Sequence, residues 1–125
     1  MYRIGVKQRF AAAHVLVGHA GKCSRVHGHT WTVEAVFAGE EIAGDGLLLD
    51  FEEAGKVLSE VVGPFDHALL NEVEPFQTIS PTAENVARVV YTRLAERVGA
   101  AGWPVVLESV TVWESDDARA TYCEG

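Results

Sequence analysis

The sequence contains no apolar run long enough to cross a membrane. A spanning helix needs about 20 consecutive apolar residues, and no apolar stretch in these 125 residues approaches that length. The opening Tyr2-Arg3-Ile4-Gly5 also lacks the pattern of a signal peptide. We therefore expect a soluble, cytoplasmic protein that does not bind membranes.

Cysteines and basic residues are also scarce. Cys23 and Cys123 are too few for a disulfide framework, so a free thiol is the default expectation for each. The 18 Asp and Glu outnumber the 10 Lys and Arg and give a net charge of −8. This balance argues against a broad nucleic-acid surface, and an anionic small substrate would need a local basic pocket.

Apolar residues, by contrast, make up 48% of the chain, which fits one domain over residues 1–125. Alternation of apolar and polar residues predicts strands over 2–14 and 29–37, separated by a glycine-containing loop. The β-branched residues of 105–114 predict a third strand, and 119–123 fits a final hairpin strand.

Two segments in the middle of the chain predict helices. Asp50 can cap a helix that ends at Gly63-Pro64, and Ser80-Pro81-Thr82 begins a second helix with Gly99 as its expected stop. The order β-β-α-α-β-β predicts an α+β domain with an antiparallel sheet and two helices on one sheet face. The other face needs solvent or a partner, and oligomerisation is one way to cover it.

Three histidines are candidate metal ligands. His27 and His29 are two residues apart, so an extended chain places both imidazoles on one face. His14 lies on the corresponding face of the preceding strand. Three imidazoles would leave a fourth position open, as in a catalytic zinc site. Each histidine alone is also consistent with an ordinary hydrogen-bonded residue, and His19 in the loop is expected to be solvated or to support a ligand.

Cys23 and the pair Asp66-His67 are candidates for proton transfer. Lys22 and Arg25 flank Cys23, and neighbouring cations favour the thiolate that a general base requires. A carboxylate beside an imidazole can orient it and raise its proton affinity. The alternatives are a plain buried thiol and a solvated loop histidine with a capping aspartate.

Two glutamates are candidates for a binding role. Glu114 ends an apolar strand, where its carboxylate could accept hydrogen bonds from an aminopyrimidine ring. An exposed strand-end charge is the alternative. Glu84, at the start of the second helix, is explained as well by the helix dipole.

Several of these motifs occur together in one known family. The chain resembles the 6-pyruvoyl-tetrahydropterin synthase and 6-carboxytetrahydropterin synthase family from about Phe10 to Tyr122. The motifs that carry the resemblance are Phe10-Ala11-Ala12-Ala13-His14, Cys23-Ser24-Arg25-Val26-His27-Gly28-His29, Asp66-His67 with Leu70-Asn71, Pro81-Thr82-Ala83-Glu84-Asn85 and Val112-Trp113-Glu114.

The resemblance implies a tunnelling fold (T-fold), in which trimers close strands into a barrel and two trimers stack into a homohexamer with active sites at subunit interfaces. It implies that Zn²⁺ is held by the three histidines. It further implies that Cys23 is the catalytic cysteine, that Asp66 and His67 complete its proton-transfer group, and that Glu114 anchors the pterin.

The spacing of three residues between Cys23 and His27 resembles the spacing in the 6-carboxytetrahydropterin synthases of the queuosine and deazapurine pathways. The implied reaction converts 7,8-dihydroneopterin triphosphate to 6-carboxy-5,6,7,8-tetrahydropterin, with release of acetaldehyde and triphosphate. Lys22 and Arg25 are candidate triphosphate contacts because of their charge and position. The pyruvoyl-forming lyase is the alternative within the family, and a non-catalytic zinc-stabilised scaffold is the alternative of another class.

Overall fold

Two long antiparallel strands form the centre of the fold. The computed structural model of the chain describes residues 1–18 and 21–125, except for the side chains of Lys22 and Cys23. Strand β1 spans Tyr2–His14 and β2 spans His27–Gly39. They pair along their whole length, with Tyr2 opposite Gly39 at one end and His14 opposite His27 at the other. The prediction of a first strand ending at His14 is confirmed, and the second strand begins two residues before the predicted stretch.

Three further strands complete a five-stranded sheet. They are β3 (Ala68–Leu69), β4 (Val106–Ser115) and β5 (Ala118–Tyr122), and the order across the sheet is β3-β1-β2-β4-β5. Strand β3 pairs in parallel with β1, whereas the other neighbours are antiparallel. The α+β T-fold architecture is confirmed, but the sheet is mixed rather than wholly antiparallel. A strand of two residues is too short to produce a period-two pattern, so β3 was not predicted.

Two α-helices lie between the strands in sequence. Helix α1 spans Phe51–Val62 and α2 spans Ala83–Ala101. The Asp50 side chain accepts a hydrogen bond from the Glu52 N–H at 2.8 Å, and Thr82 accepts one from the Asn85 N–H at 3.1 Å. Both predicted helix starts are therefore confirmed as caps. Short 3₁₀ helices lie at Gly21–Ser24, Gly63–Phe65 and Leu70–Glu72.

The predicted end of the second helix is wrong. Helix α2 continues through Gly99 and stops at Gly102, which adopts a left-handed conformation with φ 67°. A residue without a Cβ reaches this conformation without strain. Gly99 remains helical because Val98, which is buried in the core, extends the apolar face of α2 to its last turn. In the described part of the chain, no helix is long and apolar enough to span a bilayer.

Both helices contribute to one core on a single face of the sheet. Helix α1 packs on β1, and α2 packs on β4, β5 and α1. The sheet side of this core is made of alternate residues that are almost completely buried, namely Phe10, Ala12, Trp31, Val33, Ala35, Phe37, Val110 and Val112. Lys7 and Arg119 lie on the opposite face, where their cationic groups lie 5.2 and 6.0 Å from the centroid of the Trp113 ring.

Candidate metal centre

The three predicted metal ligands meet at one end of the sheet. His14 is the last residue of β1 and pairs across the sheet with His27, the first residue of β2. His29 follows on the same side of β2 because alternate residues of a strand share a face. The ring centroids lie 4.5 Å apart for His14 and His27, 5.2 Å for His14 and His29, and 4.9 Å for His27 and His29.

Backbone carbonyl groups hold two of these rings in one tautomer. Nδ1 of His14 lies 2.8 Å from the carbonyl oxygen of Pro81, and Nδ1 of His27 lies 2.7 Å from that of Arg25. A carbonyl can only accept, so each Nδ1 carries the hydrogen and donates it. The lone pair is thereby left on Nε2, which is how the outer partners of metal-bound histidines orient their ligands.

Asn71 fixes the chain where it leaves the site. Its side-chain amide accepts a hydrogen bond from the Val15 N–H at 2.9 Å and donates one to the Val15 carbonyl at 3.0 Å. Val15 directly follows His14, so this paired contact anchors the end of β1. Asn71 and the Pro81 carbonyl were not predicted as positioning groups from the sequence. Both lie in motifs that carry the resemblance to the family.

Glu114 joins the histidines from the end of β4. Its Oε1 atom lies 3.1 Å from Nε2 of His29 and 3.9 Å from Nε2 of His14. The β4–β5 pairing is irregular between Trp113 and Ser115, and Glu114 is the residue at this bulge. Its side chain is 29% exposed, so it is not the freely exposed strand-end charge that was the alternative interpretation.

The Nε2 atoms of His14 and His29 are buried without hydrogen-bond partners among the described residues. His14 itself is completely buried. The 3.1 Å approach of Glu114 to His29 does not have the alignment of a hydrogen bond. Leaving a buried polar group unpaired costs about 1–3 kcal/mol, so two such atoms side by side indicate a site that is completed by something else.

The electrostatic surroundings favour neutral imidazole at His29. Burial lowers its pKa most strongly, and the nearby His14 and His27 lower it further, while Glu114 raises it. The net shift is downward. A neutral ring retains the lone pair that a metal ion requires, so this environment suits metal binding.

This donor set fits a divalent metal ion. One ligand atom from each of His14, His27, His29 and Glu114 lies within 4.8 Å of the other three. Metal–ligand bonds of about 2.0–2.2 Å place neighbouring donors of a tetrahedral site roughly 3.3–3.6 Å apart. The 3.1 and 3.9 Å separations at Glu114 fall on either side of that range. Small side-chain movements would therefore close the group around a metal ion.

Trp31 packs against the histidine cluster on the side of the apolar core. It is fully buried, and its ring centroid lies 5.0 Å from that of His14 and 5.8 Å from that of His29. Its indole N–H donates to the carbonyl of Ala12 at 3.3 Å, and its ring stacks on Phe10 with an interplanar angle of 4°. A rigid aromatic platform therefore separates the polar cluster from the apolar core.

Asp66 and His67 form a separate group on the outer edge of β1. The Ala11 N–H donates to Oδ1 of Asp66 at 3.0 Å, and the His67 N–H donates to the Ala11 carbonyl at 2.6 Å. Nδ1 of His67 lies 3.1 Å from Oδ2 of Asp66. The hydrogen bond from Ala11 is the main cause of a lowered Asp66 pKa, and His67 lowers it further.

Within one chain, His67 does not reach the histidine cluster. Its side chain is 84% exposed, and Ala11 lies three residues from His14, about 10 Å along the strand. His67 has a φ of 58°, which is uncommon for a residue other than glycine and occurs often at functional sites. The chain thus presents an oriented Asp66-His67 pair toward solvent, away from its own histidine cluster.

Four residues singled out in the sequence lie in the segment that precedes β2. The side chains of Cys23 and Lys22 lie outside the described residues, as does all of His19. The Arg25 side chain is exposed, and its backbone carbonyl is the group that orients His27.

A cavity of about 460 Å³ opens on Glu114. Its lining includes Glu84, Glu114 and Arg119. This volume falls in the usual range of small-molecule sites. Glu84, which the helix dipole alone could explain from the sequence, therefore also lines the cavity that Glu114 lines.

Comparison with known proteins identifies the family. Residues 3–125 match the family model described as 6-pyruvoyl tetrahydropterin synthase. The chain belongs to this family. Named members include pterin synthases, and a cluster of His14, His27, His29 and Glu114 that could hold a metal ion is consistent with the metal dependence of the 6-pyruvoyl tetrahydropterin synthase family.

Relatives within the family carry several different names. A protein of Archaeoglobus fulgidus named putative 6-carboxy-5,6,7,8-tetrahydropterin synthase is 40% identical over 75% of this chain and 76% of its own length. A Pyrococcus furiosus protein named dihydroneopterin monophosphate aldolase is 30% identical over 92% of this chain and 91% of its own. Other relatives that carry the 6-carboxy name are 24–39% identical.

Among solved structures, 6-pyruvoyl tetrahydropterin synthase of Caenorhabditis elegans superimposes with a TM-score of 0.87. It is 28% identical, and the match covers 99% of this chain and 96% of that one. Membership of the 6-pyruvoyl tetrahydropterin synthase family is therefore supported by sequence and by fold.

Proposed function

We propose that this chain is a zinc-dependent lyase that converts 7,8-dihydroneopterin triphosphate to 6-carboxy-5,6,7,8-tetrahydropterin, with release of acetaldehyde and triphosphate. The product would feed the queuosine and deazapurine pathway, and the protein would act in the cytoplasm. The observation that carries the proposal is the cluster of His14, His27 and His29, in which Nε2 of His14 and of His29 lack partners among the described residues. The chain's relatives also repeatedly bear the 6-carboxy name.

Zinc is the metal that this donor set favours. Zn²⁺ accepts imidazole and carboxylate ligands in tetrahedral geometry, and it has no redox chemistry of its own. When bound, the ion would polarise the side-chain hydroxyl oxygens of the substrate and make their protons easier to remove. The three histidines would hold it, with His14 and His27 fixed by the Pro81 and Arg25 carbonyls.

The chain's own residues would supply proton transfer and orientation. Cys23 would remove a proton from the side chain as thiolate, favoured by the neighbouring Lys22 and Arg25. Glu114 would accept hydrogen bonds from the amino and ring N–H groups of the pterin, which would put the substrate in the cavity that Glu114 lines. Lys22 and Arg25 would contact the triphosphate.

His67 would exchange protons with the substrate from a neighbouring subunit. Asp66 stays ionised because the Ala11 N–H stabilises its carboxylate, and it would hold the imidazole in one orientation. Since His67 faces solvent away from its own cluster, a second copy of the chain would bring this pair to the metal centre. A homohexamer with interfacial sites satisfies this requirement.

A product assay tests the reaction. The purified, zinc-loaded protein is incubated with 7,8-dihydroneopterin triphosphate, and acetaldehyde and triphosphate are quantified together with the pterin product. Release of both in equal amounts is expected. Triphosphate without acetaldehyde would instead indicate the pyruvoyl-forming lyase, the alternative supported by the likeness to the Caenorhabditis elegans synthase.

Two further outcomes would reject both lyases. Carbon–carbon cleavage that leaves the phosphate on the released aldehyde, measured with the monophosphate as substrate, would indicate an aldolase. Absence of turnover with every dihydroneopterin phosphate, together with metal-dependent assembly, would support the non-catalytic scaffold.

A mixing experiment tests the shared site. Cys23→Ala and His67→Ala variants should each be inactive, but co-expression at equal amounts should restore about a quarter of wild-type activity, because half of the subunits supply each intact group independently. No recovery in verified mixed oligomers would place Cys23 and His67 of one chain in the same site.

A further inference from the structure

We infer that a cavity between α2 and the end of β5 is a second ligand site, which binds a phosphate monoester of a small aromatic or apolar group. The cavity has a volume of about 490 Å³, within the usual range of small-molecule sites. Arg88 and Arg93 of α2 supply positive charge to its wall. The inference goes beyond the proposed reaction and does not depend on it.

This cavity is separate from the histidine cluster. Tyr122, one of its lining residues, pairs with Val110 of β4. Val110 lies four residues before Glu114, about 13 Å along the strand. The cavity also shares no lining residue with the one that Glu114 lines. A ligand bound here would therefore occupy a different place from the proposed pterin.

Helix α2 presents several side chains to the cavity from one of its faces. Arg88 and Thr92 are four residues apart, as are Val89 and Arg93, and this spacing makes neighbours on a helix surface. All four residues line the cavity. The two guanidinium groups therefore face one space, with an apolar side chain and a hydroxyl between them.

Arg93 is held in place from two sides. Its Nη2 donates a hydrogen bond to the Glu74 carbonyl at 2.9 Å, and the central carbon of its guanidinium lies 5.6 Å from the centroid of the Phe65 ring. In the described part of the chain, that carbonyl is its one hydrogen-bond partner. The other N–H donors of the guanidinium are left for a ligand, and a group that is already oriented loses little conformational freedom on binding.

The two arginines also lack acidic partners. Among the described residues, no carboxylate forms an ion pair with Arg88 or Arg93. Glu124 lines the same cavity, but its Oε2 accepts a hydrogen bond from the Tyr122 hydroxyl at 2.7 Å. In a chain with a net charge of −8, two neighbouring arginines without carboxylate partners indicate an anion site.

The rest of the lining suits an apolar or aromatic group. Pro75, Ile79 and Val89 form an apolar part of the wall, and Val89 is buried. The Tyr122 ring packs edge-on against Tyr91, with the ring centroids 5.0 Å apart, and is thereby fixed in position. A ligand that carried only charge would leave this part of the cavity unused.

A phosphate monoester matches both parts of the cavity. Its terminal oxygens can accept hydrogen bonds from two guanidinium groups at once, and such charge-assisted bonds are the strong ones. The organic group would lie on the apolar wall, where removal of its surface from water adds affinity. Inorganic phosphate lacks the second contribution, and a neutral aromatic compound lacks the first.

Titration calorimetry of the full-length, assembled protein at fixed ionic strength tests the inference, with phenyl phosphate as the probe. Saturable binding of one molecule per chain is expected, and inorganic phosphate and phenol should each bind at least about fivefold more weakly. Absence of saturable binding at millimolar phenyl phosphate would overturn the inference. Equal affinity for either simpler compound would also overturn it, because the cavity would then not recognise both parts of the ligand.

Substitutions on α2 locate the bound probe. Arg88→Ala removes an exposed side chain, so the fold should persist, and affinity for phenyl phosphate should fall at least about fivefold. Arg93→Lys keeps the charge but loses the planar fork, and it should also weaken binding. Arg97→Ala is the matched control, since Arg97 pairs with Glu60 of α1 and does not line the cavity. Unchanged affinity in Arg88→Ala would contradict the inference.

Arg25→Ala separates this cavity from the proposed triphosphate contacts. It should bind phenyl phosphate as wild type does. Loss of binding in Arg25→Ala with full binding in Arg88→Ala would assign the anion to the proposed substrate site and reject the second site. Because no pterin or metal is added, failure of the proposed lyase reaction would leave this result unaffected, and an active lyase without the Arg88-dependent site would reject the inference alone.

Discussion

Replacing His27 by alanine should abolish stoichiometric metal binding while leaving the metal-free fold nearly intact. His27 lies at the start of β2 and is only partly buried, and its Nδ1 hydrogen bond to the Arg25 carbonyl is local and exposed. Loss of such a bond costs about 0.5–1.5 kcal/mol. His14, by contrast, is completely buried, so its removal would disturb packing as well as metal binding.

The size of the effect can be estimated from ligand linkage. Free zinc at 100 times its dissociation constant stabilises a folded protein by about 2.7 kcal/mol. At roughly 4 °C per kcal/mol for a domain of this length, zinc should raise the Tm of wild type by about 10 °C. The His27→Ala protein retains two imidazoles and one carboxylate, which form a weaker site, so its zinc-dependent shift should nearly vanish.

The assay combines metal analysis with thermal unfolding. Metal content per chain is measured after dialysis, and Tm is recorded with and without zinc at one fixed protein concentration, because assembly makes Tm depend on concentration. Glu96→Ala is the control, since Glu96 is an exposed residue of α2 that belongs to no proposed site. One zinc per chain and an undiminished shift in His27→Ala would show that the histidine cluster is not the metal site.

Three other substitutions probe separate parts of the structure. Cys23→Ala should keep one metal ion per chain yet lose turnover, and full activity by the product assay would remove Cys23 from the mechanism. Asp66→Asn should have the same unfolding free energy as wild type in strong acid and a lower one above about pH 4. The reason is that the hydrogen bond from the Ala11 N–H lowers the Asp66 pKa in the folded protein, which stabilises the fold above the ordinary pKa of 3.8. This contribution disappears as the pH falls through the folded pKa. Identical pH dependence of the two proteins would contradict this. Trp31→Phe should lower the free energy of unfolding of the metal-free protein, measured in urea, by about 1–3 kcal/mol. The substitution removes the indole hydrogen bond to the Ala12 carbonyl and leaves a cavity in a fully buried part of the core. A smaller loss would mean that neighbouring side chains repack into the cavity.

The features predicted correctly from the sequence are those fixed by local periodicity. Alternation along β1 and β2 requires His14, His27 and His29 to share a face, because the same alternation buries Phe10, Trp31 and Val33. Pairing of consecutive strands then brings the histidines together. The helix starts at Asp50 and Thr82 were likewise visible in the sequence, since capping depends on residues close in the chain.

The features that were missed depend on contacts between distant parts of the chain. The Pro81 carbonyl that orients His14 lies 67 residues away in sequence, and the Asn71 clamp on Val15 spans 56. No periodic pattern encodes such pairs. The position of Glu114 beside His29 likewise depends on how β4 aligns with β2 and on the bulge before β5. Helix α2 continues past Gly99 because burial of Val98 stabilises the last turn by more than the low helix propensity of one glycine destabilises it.

Packing in the core also determines where the metal can bind. A shift of β1 against β2 by one residue would move every side chain of one strand to the opposite face and separate His14 from His27. Stacking of Phe10 on Trp31, which are cross-strand partners, and the indole bond to Ala12 favour the observed register. Such aromatic cross-strand pairs stabilise a register by only about 0.2–1 kcal/mol each. The other buried side chains of the two strands favour the same register, because a shift would expose them as well. The fold therefore brings the proposed ligands together without a metal, and the unpaired Nε2 atoms of His14 and His29 are the energetic cost of that preorganisation.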